Sequence, residues 1–142
     1  MLRITKITDY GFILLAHMAI QDRELLHNAK DLSATIGIPL PTVSKVLKIL
    51  TQGGILKSHQ GSKGGYSLAK PAEEITAVEI IEAVEGPVAI TDCSRAEGCE
   101  RNCMISPSWQ QVNMTVIGAL RGLTLADMSN VDEILKPHTP DC

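Results

Sequence analysis

The stretch 41-PTVSKVLKILTQGGILKSHQGSKGGYSLA-69 joins a short amphipathic helix to two strand-like runs around a glycine-rich tip. Apolar residues recur at helical spacing over residues 42–52, and Gly53-Gly54 ends that helix. Strand-like runs at 55–58 and 66–69 flank the tip at 61–65, which predicts a hairpin with a long, basic loop. One helix face is apolar, with Val43, Val46, Leu47 and Leu50, and the other carries Thr42, Ser44, Lys45 and Lys48.

Two further helices precede this stretch. Asn28 is suited to cap a helix over residues 29–36, which Gly37 ends, and Pro41 suits the first turn of the next helix. Three helices with a glycine-centred turn and a following hairpin predict a mainly α fold, the winged helix-turn-helix. The third helix would then lie in the major groove of DNA. The first helix, over residues 8–20, has an apolar spacing carried by Phe12, Leu15, Ala16, Ala19 and Ile20.

The second half of the chain predicts three more helices and a loop. Thr76 and Glu79 form a capping box for a helix to about Val84, and Thr124 begins another short helix. A longer helix starts at Ser106 and runs to about residue 120, with an apolar stripe. The predicted organisation is a winged helix-turn-helix domain over 1–86, a cysteine-rich loop over 87–105, a dimerisation helix and short terminal helix over 106–135, and a disordered tail over 136–142.

Charge is divided unevenly along the chain, although the net charge is −3. Residues 32–72 contain five lysines and no acidic residue, whereas residues 73–142 contain twelve acidic and four basic residues. An acid-free block in an acidic protein suggests a face that meets a polyanion, here double-stranded DNA. The alternative is chance clustering on a solvated surface. The predicted DNA contacts are Thr42, Ser44, Lys45 and Lys48 on the helix and His59, Gln60, Ser62, Lys63 and Gly64 on the wing.

The N-terminus does not read as a secretory signal, because Asp9 and His17 interrupt its apolar run. No apolar stretch approaches the roughly 18 residues that a membrane span needs. We therefore expect a cytoplasmic protein with no membrane partner. In that reducing compartment, clustered cysteines more often bind metal or sense redox state than form structural disulfides.

Three of the four cysteines lie in 92-DCSRAEGCERNC-103, at Cys93, Cys99 and Cys103. Thiolates are soft ligands that suit zinc or an iron–sulfur cluster. Zinc sites usually contain cysteine pairs two to four residues apart, and only Cys99 and Cys103 have that separation. Spacing alone leaves zinc, an iron–sulfur cluster and a thiol redox switch open.

The segments LRITKITDYGFILLAHMA and TVSKVLKILTQGGILKSHQGSKGGYSLAKP and the cysteine loop resemble bacterial iron–sulfur regulators of the IscR and NsrR type. Within that family the chain looks most like the regulators of SUF iron–sulfur assembly genes. The resemblance covers residues 1–130 and implies a homodimeric repressor or activator. It also implies a [2Fe–2S] or [4Fe–4S] cluster on the three cysteines, beside a long helix that forms the dimer interface.

The chain departs from the IscR pattern at three positions. Gln60 stands where many members carry a wing arginine, and Ser44 stands where IscR has a glutamate used in operator discrimination. Ser106 replaces the histidine that completes the IscR cluster. NsrR-like members use an aspartate of the partner subunit instead, and Asp9 aligns with it. The alternative role for Asp9 is stabilisation of a helix N-terminus. His17, His138 and Cys142 are weaker candidates for the fourth ligand.

An enzyme is the third class of function, and the sequence argues against it. The chain has no Cys-x-x-Cys pair and no base suitably placed beside a nucleophile. The GSKGG stretch at residues 61–65 lacks the ending of a phosphate loop and lies in a hairpin. We expect neither catalysis nor a small-molecule substrate.

Overall fold

Polar residues fix where the helices of the N-terminal part begin. In the computed structural model, which describes residues 3–95 and 103–130, the Thr5 and Asn28 side chains accept hydrogen bonds from backbone N–H groups of the first turns they cap. Thr76 and Glu79 form the predicted capping box. The elements are α1 (Lys6–Ala19), α2 (Ala29–Ile36), α3 (Leu40–Gln52), β1 (Leu56–His59), β2 (Gly65–Leu68), α4 (Ala77–Glu85), α5 (Ser106–Arg121) and α6 (Leu125–Met128), with single 3-10 turns at Ala72–Glu74 and Asp92–Ser94.

The core lies between α1, α3, α4 and the base of the hairpin. The predicted apolar face of α3 is confirmed, because its four apolar residues have no exposed surface. Burying an aliphatic side chain stabilises a fold by about 1.5–3 kcal/mol, so this aliphatic core accounts for a large part of the stability. The fully buried members from the three helices include Leu14, Leu15, Val43, Val46, Leu47, Leu50 and Ile80.

The buried face of α1 differs from the predicted one. The structure buries Gly11, Leu14 and Met18, whereas Ile20 is 54% exposed. The helix is apolar on most sides, so spacing alone does not select the face that meets α3 and α4. Leu15 belongs to both the predicted and the observed face.

The wing is an antiparallel hairpin whose strands are each shifted by one residue from the prediction. Leu56 pairs with Leu68 and His59 pairs with Gly65. His27, just before α2, adds a short bridge, because its backbone exchanges hydrogen bonds with Tyr66 at 2.9 and 2.7 Å. The base of the wing is thereby joined to the start of the helix-turn-helix.

The chain returns to the N-terminal part after α5. The Ala77 N–H donates to the Leu123 carbonyl at 2.8 Å, and the Leu125 N–H donates to the Ile75 carbonyl at 2.7 Å. Leu125 of α6 is fully buried in the same core as α1 and α3. The helix α5 itself packs on α4 and on the turn at Asp92–Ser94, and most of its surface remains exposed. Within residues 3–95 and 103–130, no helix is long and apolar enough to cross a membrane.

Candidate nucleic-acid interface and cysteine loop

The helix-turn-helix places the polar face of α3 outward. Gly37 adopts the left-handed conformation at φ 82° that ends α2, and its N–H donates to the Ser33 carbonyl. The Ser33 hydroxyl donates to the Ile38 carbonyl at 2.6 Å, which closes the turn. On α3, Lys45 and Lys48 are exposed, and the shorter Thr42 and Ser44 are half-buried beside them.

Four of the five lysines of the acid-free block are available to a polyanion. Lys45, Lys48, Lys57 and Lys63 are exposed and form no ion pair with any residue that the structure describes. Lys70 differs, because its Nζ lies 2.8 Å from Oε1 of Glu79. The cationic surface therefore consists of the outer face of α3 and the wing, and Lys70 lies outside it.

The tip of the wing requires glycine. A Cβ on Gly64 would collide with the His59 carbonyl oxygen, and Gly61 has φ 112°. The predicted contact residues of the tip, Gln60, Ser62 and Lys63, are exposed. His59 is exposed as well, and its Nε2 lies 2.9 Å from the Ser67 hydroxyl across the hairpin. The wing thus combines exposed polar side chains with a closely turned backbone at its tip.

A close helix contact sets the position of α3. A Cβ on Gly53 would lie 2.5 Å from the Cβ of Ala83 on α4, so only glycine allows this approach. The sequence pattern identifies Gly53 merely as a helix stop. A second glycine directly after it, which already supplies the stop at φ 78°, is the signal that could have suggested the packing role.

The two cysteines within the described residues both lie at the N-terminal end of α5. Cys93 is in the turn Asp92–Ser94, which packs on α5, and Cys103 lies three residues before the start of that helix. The Cys103 carbonyl accepts from the Ser106 N–H at 3.1 Å. Both cysteines are half-buried. Two soft sulfur donors held at one helix end fit a thiolate-bound metal centre. Cys99, His138 and Cys142 lie outside the described residues.

Hydrogen bonds attach the segment before Cys93 to α5. The Asn113 side chain bonds to the backbone of Ile90 and Val88, and the Ser94 hydroxyl lies 3.5 Å from the Trp109 carbonyl oxygen. The sequence gives no signal for this role of Asn113, because the predicted stripe of α5 contains only apolar residues. These contacts hold residues 88–94 against the first two turns of α5.

Asp9 lies away from the two cysteines of its own chain. It is exposed in the first turn of α1, where Thr5 is the residue that caps the helix. Asp9 lines a hollow of about 540 Å³ together with Leu120 and Leu123, at the C-terminal end of α5. Among the described residues, no group of three His, Cys, Asp or Glu side chains is close enough to hold a metal ion.

Glu85 ties the start of α1 to the end of α4. Its Oε1 accepts from the Thr8 hydroxyl at 2.6 Å and from the Thr5 N–H at 3.0 Å. These hydrogen bonds lower the pKa of Glu85. Burial, with a smaller contribution from the nearby His17, lowers the pKa of His27. The carboxylate of Glu85 therefore connects the helix that carries Asp9 to the segment that leads to Cys93.

Relatives and solved structures agree with this architecture. The HTH-type transcriptional regulator IscR of Photorhabdus laumondii is 29% identical over 94% of this chain and 83% of its own length. IscR of Escherichia coli is 28% identical over 99% of this chain and 90% of its own.

Among solved structures, CymR, the global cysteine regulator of B. subtilis, superposes with a TM-score of 0.74 at 26% identity, covering 92% of this chain and 98% of its own. T. potens IscR gives a TM-score of 0.72 at 24% identity, with 95% and 92% coverage, and shows the fold.

These relatives are transcriptional regulators, so the prediction of a DNA-binding regulator rather than an enzyme is confirmed. The model of the Rrf2 family, described as an iron-dependent transcriptional regulator, matches residues 4–131. With a winged helix-turn-helix whose cationic face is exposed, this chain belongs to the Rrf2 family of transcriptional regulators.

Proposed function

We propose that this protein is a homodimeric regulator whose affinity for its operator is controlled by an iron–sulfur cluster, and that it regulates SUF iron–sulfur assembly genes. The observation that carries the proposal is the placement of Cys93 and Cys103 at one end of α5. The similarity to IscR proteins of several bacteria supports the cluster over zinc. The SUF target rests on the sequence resemblance.

The cluster, [2Fe–2S] or [4Fe–4S], would be held by the thiolates of Cys93, Cys99 and Cys103. When bound, it would supply a group whose gain, loss or oxidation changes the charge and packing of the loop. Half-burial of Cys93 and Cys103 limits the access of water to the sulfur atoms. The described residues supply no histidine at the cysteine end of α5, which leaves room for a ligand from a second chain.

The second chain is suggested by the exposed apolar side chains of α5. Ile105, Val112 and Met114 are 54%, 44% and 73% exposed. A second copy of the chain packed on this helix would remove them from water, as symmetric dimers do with self-complementary faces. The proposed dimer interface is therefore the surface of α5.

An antiparallel crossing of two α5 helices would bring Asp9 to the thiols. Asp9 lies beside Leu120, and Ser106 to Leu120 spans about 21 Å of helix at 1.5 Å per residue. In an antiparallel two-fold pair, the C-terminal end of one helix meets the N-terminal end of the other. Asp9 of one subunit, exposed and without a side-chain hydrogen bond among the described residues, would thus complete the site of its partner.

DNA recognition follows from α3 and the wing. Thr42, Ser44, Lys45 and Lys48 would reach base edges and phosphates in the major groove, and His59, Gln60, Ser62, Lys63 and Gly64 would meet the adjacent backbone. Two α3 helices must meet half-sites about one helical turn apart, roughly 34 Å. A change in the crossing of α5 would alter that separation and hence the affinity.

Spectroscopy of anaerobically purified protein tests the proposal. We expect a brown protein whose visible absorption is lost when Cys93, Cys99 or Cys103 is replaced by Ala. A Mössbauer spectrum identifies the nuclearity, and Asp9→Ala should change the coordination of one iron while the three cysteines stay. Colourless protein that contains stoichiometric zinc would contradict the proposal.

A thiol switch or a structural zinc site is the second candidate. It is favoured by the structural likeness to CymR, which is described as a global cysteine regulator. Metal content and a thiol count before and after oxidation separate the two candidates. A metal-free protein that binds the operator and loses two thiols on oxidation would support the switch.

A further inference from the structure

The segment that leads to Cys93 is attached to α5 through one buried amide. Asn113 is 6% exposed and is the one buried residue of α5, whose other residues are half-buried or exposed. Its Oδ1 accepts from the Ile90 N–H at 3.0 Å, and its Nδ2 donates to the Val88 carbonyl at 3.2 Å. A backbone N–H can only donate and a carbonyl can only accept, so these partners determine the orientation of the amide.

The apolar residues Val88, Ala89 and Ile90 of this segment are only half-buried. A hollow of about 530 Å³ opens beside it and is lined by Val88, Ile90, Val116 and Leu120. Across the parts of the chain that the structure describes, both hydrogen bonds between residues 86–91 and α5 come from Asn113. Without the amide, the Ile90 N–H and the Val88 carbonyl would lose partners in a half-buried position.

Contacts with α5 are made on both sides of Cys93. Ile90 lies three residues before Cys93 and is hydrogen-bonded to Asn113. Ser94 follows Cys93, and its hydroxyl approaches the carbonyl oxygen of Trp109. Trp109 and Asn113 are four residues apart, so the two anchor points lie one turn apart on the same side of α5. The longer Ser94 contact, at 3.5 Å, is the weaker of the two.

We propose that Asn113 is a positioning residue that holds Cys93 against α5 and transmits a change at the thiols to that helix. The inference rests on the proposed function in one respect, namely that the cysteine thiolates hold a bound group. Its geometric part, the placement of Cys93, stands on the two hydrogen bonds alone. The amide acts through Cys93 and does not itself bind the group.

The test compares Asn113→Ala and Asn113→Asp with wild type and with Gln21→Ala. Gln21 is an exposed amide outside α5 and outside the proposed DNA and dimer contacts, so its replacement controls for the removal of an amide as such. Asn113→Asp keeps an acceptor for the Ile90 N–H and loses the donor to the Val88 carbonyl. Two rates are measured under anaerobic conditions: the loss of visible absorption after addition of an iron chelator, and alkylation of Cys93 in metal-free protein by mass spectrometry.

We expect Asn113→Ala to increase both rates about tenfold, since the loss of two hydrogen bonds loosens the segment. Asn113→Asp should increase both rates at least as much, because it places a buried carboxylate against the Val88 carbonyl oxygen, and Gln21→Ala should leave both unchanged. Far-ultraviolet circular dichroism identifies a variant that fails to fold, and Asn113→Asp then decides the outcome. Wild-type rates in folded Asn113 variants would overturn the inference.

The two readouts separate this inference from the proposed function. If wild type has no iron–sulfur absorption, the cofactor proposal fails. Alkylation of Cys93 in the metal-free variants then still decides whether Asn113 places that residue. If wild type is brown and Asn113→Ala leaves both rates unchanged, only the role of Asn113 fails.

Discussion

The DNA-reading part and the cysteine-bearing part of the molecule are built in opposite ways. The first has capped helices, a fully buried aliphatic core and a wing joined to the helix-turn-helix by backbone hydrogen bonds. The second has a helix with exposed apolar side chains and a segment attached through Asn113. The DNA-reading part is thus packed within one chain, whereas the cysteine-bearing part presents apolar surface that the proposed partner chain would cover.

The largest effect should come from the core of the reading part. Leu50→Ala removes a fully buried side chain, and we expect a loss of about 2–5 kcal/mol in the free energy of unfolding. Met114→Ala on α5 should weaken dimerisation and should leave that free energy of unfolding unchanged at protein concentrations low enough to keep the chain monomeric. Urea unfolding and analytical ultracentrifugation measure the two quantities. Equal losses of stability in Leu50→Ala and Met114→Ala would contradict the difference between the DNA-reading part and the cysteine-bearing part.

Glycine substitutions in the two parts should also differ in their effect on stability, and these effects should be smaller. Gly53→Ala places a methyl group against Ala83 and should destabilise the fold by about 1–3 kcal/mol. Gly118→Ala in α5 meets open space in one chain and should stabilise the helix by up to about 1 kcal/mol. Thermal unfolding of both variants is the measurement. A destabilising Gly118→Ala would mean that the partner chain approaches closely at this point.

The lysines should separate DNA contacts from structural ion pairs. Lys45→Ala should weaken operator binding about tenfold and reduce the slope of log K against log salt by about 0.9, because one phosphate contact is lost. Lys70→Ala, which removes the partner of Glu79, should leave the slope unchanged. Fluorescence anisotropy at several salt concentrations gives both slopes. An unchanged slope for Lys45→Ala would remove it from the phosphate contacts.

The smallest effect is a pH dependence at Glu85. Because hydrogen bonds lower its pKa in the folded state, Glu85 stabilises the fold above its ordinary pKa of 4.5, and this contribution is lost as the pH falls toward the folded-state pKa. Wild type should therefore be more stable than Glu85→Gln at pH 7, with a difference that shrinks on acidification. Urea midpoints from pH 7 to pH 3 measure it. If the stability difference between wild type and Glu85→Gln does not change with pH, it comes from packing and not from the charge of Glu85.

The fold can be predicted from the sequence where local side-chain and backbone chemistry determines it. The bounds of α2 match the prediction, because Asn28 and Gly37 mark its ends, and the capping boxes at Thr76 and Thr124 are where the pattern places them. The buried face of α1 could not be predicted, because a helix that is apolar on most sides offers several possible faces.

The candidate site is only partly readable. The cysteine loop is visible as a motif, and the exposed lysines follow from the charge pattern. The contacts of Asn113 and Glu85 cannot be predicted from the sequence, because they join residues that are more than 20 and more than 75 positions apart. Such pairs depend on how helices pack, and no local pattern specifies that.

The backbone hydrogen bonds that return Leu123 and Leu125 to Ala77 and Ile75 have a consequence for engineering. They place α6 in the core of the DNA-reading part, although residues 86–122 separate it from α4 in the sequence. A truncation after residue 121 would uncover the position that Leu125 fills, so a minimal DNA-binding fragment cannot stop at the end of α5. An exchange of the cysteine-bearing part between relatives should instead replace residues 86–122 and keep α6 with the DNA-reading part.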